Sequence, residues 1–209
     1  MAKAKIKAVL FDLDGVLVDA REWHYEALNE ALSLFGYIIS RQEHESFYNG
    51  LPTKHKLKKL TEEKGFPESL HSLIYEIKQL QTQRRLHSLT RPSFDKQLML
   101  KLLKNSGLKL AVCSNSIRET VEVMLKNAML EHYFDLLLSN QDVTKNKPDP
   151  EIYIVAMNRL QVSPEETVIV EDAPHGVQAA RASGAHVIVV DNANDVNLYL
   201  FREHLPHLF

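Results

Sequence analysis

One cysteine, one tryptophan and seven glycines among 209 residues close off several classes of protein at the outset. A single thiol, Cys113, excludes an intrachain disulfide framework and a thiolate-cluster metal site. It ends the apolar run Leu110-Ala111-Val112-Cys113 and reads as a buried structural thiol rather than a reactive one. No apolar stretch approaches the length of a membrane span, and the one that follows Lys3, Lys5 and Lys7 is too short for a signal peptide. Lys and Arg number 25 against 27 Asp and Glu, so the formal charge of −2 offers no surplus of one sign to draw nucleic acid or an anionic membrane. Internal repeats, low-complexity tracts and Gly/Ser linkers are also missing. The expectation is a soluble cytoplasmic protein, a monomer with a dimer as the alternative, without a nucleic-acid or membrane partner.

A hydrophobic content of 44% over this length suffices to bury a sizeable core. Short apolar runs at Ile6–Phe11, Leu108–Cys113, Val168–Val170 and His186–Val190, with a weaker one at Leu136–Leu138, read as buried parallel strands because they are continuous rather than alternating. Helical patterns lie between the later runs. Asp149-Pro150 reads as a cap followed by proline at the first helical position, opening a helix to about Leu160. Ser163-Pro164-Glu165-Glu166 has capping-box spacing, and the helix holding Gln178, Ala179, Ala180 and Ala182 stops at Gly184. Strand–helix alternation over 94–190 predicts a parallel sheet with helices on both faces.

Residues 20–91 contain no strand pattern. Trp23, Ala27, Ala31 and Leu34 recur at helical spacing, as do Leu70, Leu73, Ile77 and Leu80, and Ser93 reads as a cap for the next helix. The predicted fold class is therefore α/β, a Rossmann-like core of residues 1–17 and 93–209 with an α-helical insertion at 18–92. Lys54, Lys56, Lys58 and Lys59 read as the solvated face of a surface helix, interleaved by Leu57 and Leu60.

The most informative stretch is Phe11-Asp12-Leu13-Asp14-Gly15-Val16-Leu17-Val18-Asp19. Asp12 and Asp14 leave one side of an extended backbone, and Gly15 lets the chain turn away. Two acids at the carboxyl end of a buried strand are costly unless a cation or substrate compensates them, and that edge is where open α/β sheets bind ligands. Three further polar groups follow later strands: Ser114-Asn115-Ser116, Lys147-Pro148-Asp149-Pro150 and Glu171-Asp172. Taken singly, Lys147 would be a surface lysine and Ser114 a turn residue; together they supply carboxylates, a hydroxyl donor and a fixed positive charge at one sheet edge. Asp19 reads as a cap for the helix that follows and His175 as a loop residue. His24 reads as either a core or hinge histidine or a group facing the site.

These segments resemble the haloacid-dehalogenase-like phosphatase superfamily: Asp12-x-Asp14-Gly15-x-x-x-Asp19, Ser114-Asn115, Lys147-Pro148 and Glu171-Asp172-Ala173-Pro174-His175-Gly176-Val177-Gln178-Ala179-Ala180, in that order. The acidic pair followed by Gly176 and Ala179-Ala180 is similar to the β-phosphoglucomutase-like and phosphoglycolate-phosphatase-like branch, whose helical cap is inserted after the first motif. The resemblance implies Asp12 as nucleophile and metal ligand, Asp14 as a ligand through its carbonyl and as general acid/base, Asp172 as a further Mg²⁺ ligand, and Glu171 as a ligand through a bound water. It implies that Lys147, Ser114 and the amide of Asn115 hold the phosphate, and it offers His24, Thr53 and Lys54 as substrate contacts from the cap. A dianionic phosphomonoester and a carboxylate nucleophile repel by roughly 1 kcal/mol per charge pair at about 4 Å in water and by about 4 kcal/mol at an effective dielectric of about 20, so cations are required.

The implied activity is Mg²⁺-dependent hydrolysis of a small phosphorylated metabolite through an aspartyl-phosphate. A phosphomutase is the enzyme alternative, weakened because Thr53, followed by Lys54, stands where that mutase carries an arginine. Dehalogenase and phosphonatase chemistry are disfavoured by Asp14. A non-catalytic metabolite-binding protein is the alternative of a different class; metal-dependent turnover of a chromogenic ester separates it from the enzymes.

Overall fold

The computed structural model describes residues 5–206. Five parallel strands, β1 (Ala8–Phe11), β2 (Lys109–Cys113), β3 (Leu136–Leu138), β4 (Thr167–Glu171) and β5 (His186–Val189), form one sheet in the order β3-β2-β1-β4-β5. β1 is central, with Ala8 to Phe11 paired in register to Lys109 to Val112 on one side and Thr167 to Val170 on the other. Burial on both faces explains why its four residues are all apolar.

Alternation divides the strands between two cores. Val9, Phe11, Leu110, Val112, Val168 and Val170 face one, closed by α5 (Phe94–Asn105), α6 (Arg118–Asn127) and α9 (Leu198–His204) through Met99, Leu100, Val121, Met124 and Phe201. Ala8, Leu10, Ala111, Cys113 and Ile169 face the other, closed by α7 (Glu151–Leu160) and α8 (Pro174–Ala182) through Ile152, Tyr153, Ala156, Ala179 and Ala180. Burial there pushes the Cys113 thiol up to about 12, as suits a packing residue.

Between β1 and α5 the chain is helical: α1 (Arg21–Ser33), the short α2 (Arg41–Glu43) running into a π-helical turn (His44–Tyr48), α3 (Thr53–Lys64) and α4 (His71–Leu89). These helices share an apolar core of their own, including Leu28, Leu32, Ile39, Tyr48, Leu57, Leu60, Phe66 and Ile74. Residues 1–4 and 207–209 of the expected core segments lie outside the described residues. Among the described residues no helix is long and apolar enough to cross a membrane.

Several local expectations need correction. Leu34 is 67% exposed because α1 ends at Ser33, and its buried stripe is Ala27, Leu28, Ala31 and Leu32. In α4 the buried residues are Ile74, Lys78, Thr82 and Leu86, spaced by four, while Leu73 and Leu80 face outward. The helix presents polar groups inward, which a stripe of leucines concealed. Asp19 does not cap α1, whose first turn follows Ala20 without a side-chain cap bond. His175 lies in the first turn of α8 rather than in a loop. The helix after Asp149 begins one residue late, with Pro150 as its cap, yet Asp149 Oδ1 still accepts from Glu151 N at 3.0 Å. The lysine run is not uniformly solvated: Lys58 is exposed, but Lys56 is buried.

Buried Lys96 joins the C-terminal part of the chain to the segment that follows the first motif. Its Nζ donates to the carbonyls of Val16 at 3.0 Å and of Ala193 and Val196 at 2.5 Å each. Lys96→Met keeps the stem but takes the donor from the Val16 and Val196 carbonyls, while the Ala193 carbonyl still accepts from Val196 N at 3.2 Å. At about 1 kcal/mol or more for each of the two orphaned acceptors, the variant is expected to lose about 2 kcal/mol in urea unfolding. A midpoint unchanged at equal m-value would show that water replaces the ammonium without cost.

Candidate active site

The carboxyl ends of β1, β2 and β4 and the loop after β3 bring Asp12, Ser114, Lys147 and Glu171 to one edge of the sheet. Lys147, only 3% exposed, is the hub: its Nζ lies 2.7 Å from Asp12 Oδ1, 2.6 Å from Glu171 Oε1 and 2.8 Å from the Cys113 carbonyl. The Tyr153 hydroxyl donates to the same Glu171 oxygen at 2.5 Å. Two carboxylates around one ammonium overcome its burial and hold Lys147 above the ordinary lysine range.

Asp12, Glu171 and Asp172 present carboxylate oxygens within 4.8 Å of one another. Burial, reinforced by Glu171, Asp172 and Asp14, pushes the Asp12 carboxyl well up despite Lys147. Asp172 is pushed up to about 7 by burial and by Glu171. Both Asp172 oxygens are buried without a hydrogen-bond partner, and the nearest cation, Arg21, stands 3.5 Å from Oδ2. A crowded, under-neutralised, oxygen-only donor set with an orphaned buried carboxylate fits a hard divalent cation.

Two glycines allow this crowding. At Gly15, φ is +91° and an added Cβ would stand 2.2 Å from Asp172 Oδ2. At Gly176 a Cβ would come within 2.0 Å of Glu171 Oε1. α8 can approach the carboxylates only because it lacks a side chain there.

Asp14 points away from this cluster. Its Oδ1 takes a hydrogen bond from His24 Nε2 at 2.8 Å, and its Oδ2 accepts from Ser116 Oγ at 3.0 Å and from Ser114 Oγ at 3.5 Å. Lys78 Nζ stands 3.2 Å from His24 Nδ1. An ammonium can only donate, so Nδ1 accepts and the ring proton sits on Nε2, aimed at Asp14. Burial lifts the Asp14 carboxyl, but His24, Ser116 and Lys78 together hold it below the ordinary carboxylate range. Burial and the charge of Lys78 push His24 down, which keeps the ring neutral.

The site opens into a cavity of about 310 Å³ between the sheet edge and the helical insertion. Asp12, Asp14, Lys147 and Glu171 form its floor, and His24, Thr53 and Lys54 line it from the insertion. Thr53 opens α3, and the Lys54 ammonium lies 5.8 Å from the Tyr75 ring centre. Ser114 is fully buried behind Asn115 and Ser116, which form that wall. Asn115 links the two parts of the molecule: its Nδ2 donates to the Gly50 carbonyl at 2.9 Å, and its Oδ1 accepts from Lys147 N at 3.2 Å.

Sequence reasoning missed Ser116, Tyr153, Lys56, Lys78 and His44. For Ser116 a signal existed, since it stands two residues beyond Ser114 and an extended segment turns both to one side. For Lys56 the helical pattern pointed the wrong way. Lys56 and His44 line the cavity with Lys78, and Lys56 Nζ stands 3.3 Å from His44 Nε2.

Comparison with known proteins gives this geometry a family. Residues 9–190 match the model of the haloacid dehalogenase-like hydrolases. A phosphorylated carbohydrates phosphatase of Thermotoga maritima is 31% identical over 192 residues, covering 91% of this chain and 88% of its own. The crystal structure of CbbY from Rhodobacter sphaeroides in complex with phosphate superposes with a TM-score of 0.78 at 26% identity, over 88% of this chain and 85% of that one. That of β-phosphoglucomutase from Clostridium difficile gives 0.82 at 23% identity, over 97% and 98%, and speaks for the fold. The match runs from the first strand to the last, through every segment that builds the sheet edge, and the chain belongs to the haloacid dehalogenase-like hydrolase family.

Proposed function

We propose that the protein is a Mg²⁺-dependent phosphomonoesterase acting on a small phosphorylated metabolite, with residues 18–92 serving as a cap over the site. The observation that carries this reading is the meeting of Asp12 with Lys147 at 2.7 Å beside the orphaned Asp172 carboxylate. Asp12, Asp172 and the Asp14 carbonyl would hold the metal ion, with Glu171 acting through a water. When bound, the ion supplies positive charge that lets an anionic nucleophile approach a dianionic ester.

Asp12 attacks phosphorus, the ester oxygen leaves with a proton from Asp14, and an aspartyl-phosphate remains. Asp14 then takes a proton from water, whose oxygen attacks that phosphorus. The bond to Asp12 breaks, and inorganic phosphate departs. Lys147 neutralises the nucleophile and the phosphoryl oxygens, while Asn115, Ser114 and Ser116 orient them, as expected where positioning and charge carry phosphoryl transfer. His24, Thr53 and Lys54 face the remainder of the substrate. The Thermotoga relative, named for phosphorylated carbohydrates, supports sugar phosphates as the first compounds to try.

The test is phosphate release from p-nitrophenyl phosphate and a panel of phosphorylated metabolites. Turnover is expected with Mg²⁺, abolished by excess chelator and restored by added Mg²⁺. Full activity in chelator would remove the metal, and no release from any ester would remove the reading. Glucose 6-phosphate formed from β-glucose 1-phosphate, dependent on added glucose 1,6-bisphosphate and outpacing phosphate release, would replace it with a mutase.

A further inference from the structure

Arg21 opens α1, the first helix of the insertion, and its side chain reaches across to the core. Its Nη1 stands 3.5 Å from Asp172 Oδ2. Among the described residues the guanidinium has no hydrogen bond and no second carboxylate partner. The contact is loose by the standard of this same chain. Arg41 grips both Glu22 oxygens with two nitrogens, at 2.5 and 2.7 Å, in the fork that arginine and carboxylate form when the pair is permanent. Arg21 makes one long contact from a side chain that is one-third exposed, and so lends Asp172 charge without a hydrogen bond.

Asp172 depends on that charge. Its side chain is fully buried, and neither of its oxygens takes a hydrogen bond. Lys147 is the other cation that acts on it, but the three donors of Lys147 go to Asp12, Glu171 and the Cys113 carbonyl. Gly15 makes the approach of Arg21 possible. A Cβ there would stand 2.2 Å from Asp172 Oδ2 and 3.1 Å from Arg21 Cδ, so the arginine stem and the carboxylate meet over bare backbone. Asp172 thus belongs to two groupings at once: the three carboxylates that suit a hard cation, and an ion pair with Arg21. A guanidinium and a divalent cation at one carboxylate repel each other. Two charges and direct coordination outweigh one charge at 3.5 Å, so the arginine is the one that yields, and its exposed third leaves it a way into water.

We infer that Arg21 sets the affinity of the carboxylate site for its divalent cation. By competing for Asp172 it makes Mg²⁺ bind more weakly than Asp12, Glu171 and Asp172 alone would hold it, and it keeps a counter-charge on Asp172 when Mg²⁺ is scarce. Arg21 acts through Asp172 and takes no part in the chemical step. The inference rests on the Mg²⁺-dependent reading, and its test reads binding rather than turnover.

Calorimetric titration of Mg²⁺ into chelator-stripped protein at about pH 8, where protons compete little, tests it with a charge series. Arg21→Lys keeps the charge, Arg21→Gln removes it and Arg21→Glu reverses it. The Kd for Mg²⁺ is expected to stay within about threefold in Arg21→Lys, to fall about tenfold in Arg21→Gln, and to fall further in Arg21→Glu. Melting should follow by linkage. In excess chelator Arg21→Gln is expected to melt below the unsubstituted protein, and in about 10 mM Mg²⁺ the gap should close, because a ligand stabilises most where it binds most tightly. Should the neutral variant not fold in chelator, Arg21→Lys against Arg21→Glu reads the same difference. Equal Kd across the folded series, weaker binding in Arg21→Gln, or a melting gap that Mg²⁺ leaves unchanged would overturn the inference and leave Arg21 as a tie between α1 and the core. Absence of Mg²⁺ binding from every protein, with full turnover in chelator, would fail the metal reading itself and the inference with it.

Discussion

Asp12→Asn is expected to lower kcat by more than about 10⁴-fold and to leave no phosphoenzyme detectable by rapid quench with labelled substrate. The substitution is nearly isosteric, so its cost falls on chemistry rather than packing. The carboxylate oxygen that would form and then release a bond to phosphorus in the proposed mechanism becomes an amide with little nucleophilicity. The charge balance around it shifts in the opposite sense. Burial and three neighbouring carboxylates already push Asp12 toward its protonated form, and Lys147 offsets this only in part. Removing one negative charge leaves Lys147 paired with Glu171 at 2.6 Å and takes away the repulsion between Asp12 and Asp172. The melting temperature of the metal-free protein should therefore hold or rise while activity disappears. Appreciable turnover in the folded variant would show that phosphorus is attacked by water directly.

The parts of this site that were legible in the sequence are those fixed by a strand end. Asp12, Ser114 and Glu171 each stand where a continuous apolar run stops, and a parallel sheet brings all such ends to one edge. The sheet itself was legible for the same reason, with strand limits shifted by a residue or two at β1, β2, β4 and β5. Lys56 and Lys78 were hidden by their setting in amphipathic helices. Lys54, Lys56, Lys58 and Lys59 carry the same side chain, and only the packing of Leu57 and Leu60 into the insertion's core decides which of them turns inward. In α4 the inward stripe runs Ile74, Lys78, Thr82 and Leu86; Lys78 lines the cavity, and the Thr82 hydroxyl donates back to the Lys78 carbonyl at 2.9 Å. Periodicity follows apolar residues, so it settled on Leu70, Leu73, Ile77 and Leu80, of which Leu70 and Ile77 pack against the insertion's core and Leu73 and Leu80 are exposed. Tyr153 gave no signal at all: its value lies in reaching Glu171 across the sheet edge, a contact made only once α7 is packed.

Asp14→Asn is expected to act unequally on the two halves of the reaction. General acid/base groups contribute about 10²–10⁴-fold, and the contribution grows with the basicity of the leaving oxygen. In the unliganded protein, His24, Ser116 and Lys78 hold Asp14 below the ordinary carboxylate range, so it stands as an anion at neutral pH and is well placed to deprotonate water. Donating a proton to an alkoxide requires that it first be protonated, and an activated ester such as p-nitrophenyl phosphate does not make that demand. Formation of the phosphoenzyme from the nitrophenyl ester should therefore survive the substitution within about tenfold, while formation from an alkyl phosphate falls by about 10²-fold or more. Breakdown needs the base with either ester, so steady-state turnover should fall for both. With the nitrophenyl ester a burst of nitrophenol close to one equivalent of enzyme should precede a slow steady rate, because the intermediate accumulates. Equal losses with both leaving groups and no burst would assign Asp14 a structural role at the His24 contact and return the proton transfers to solvent.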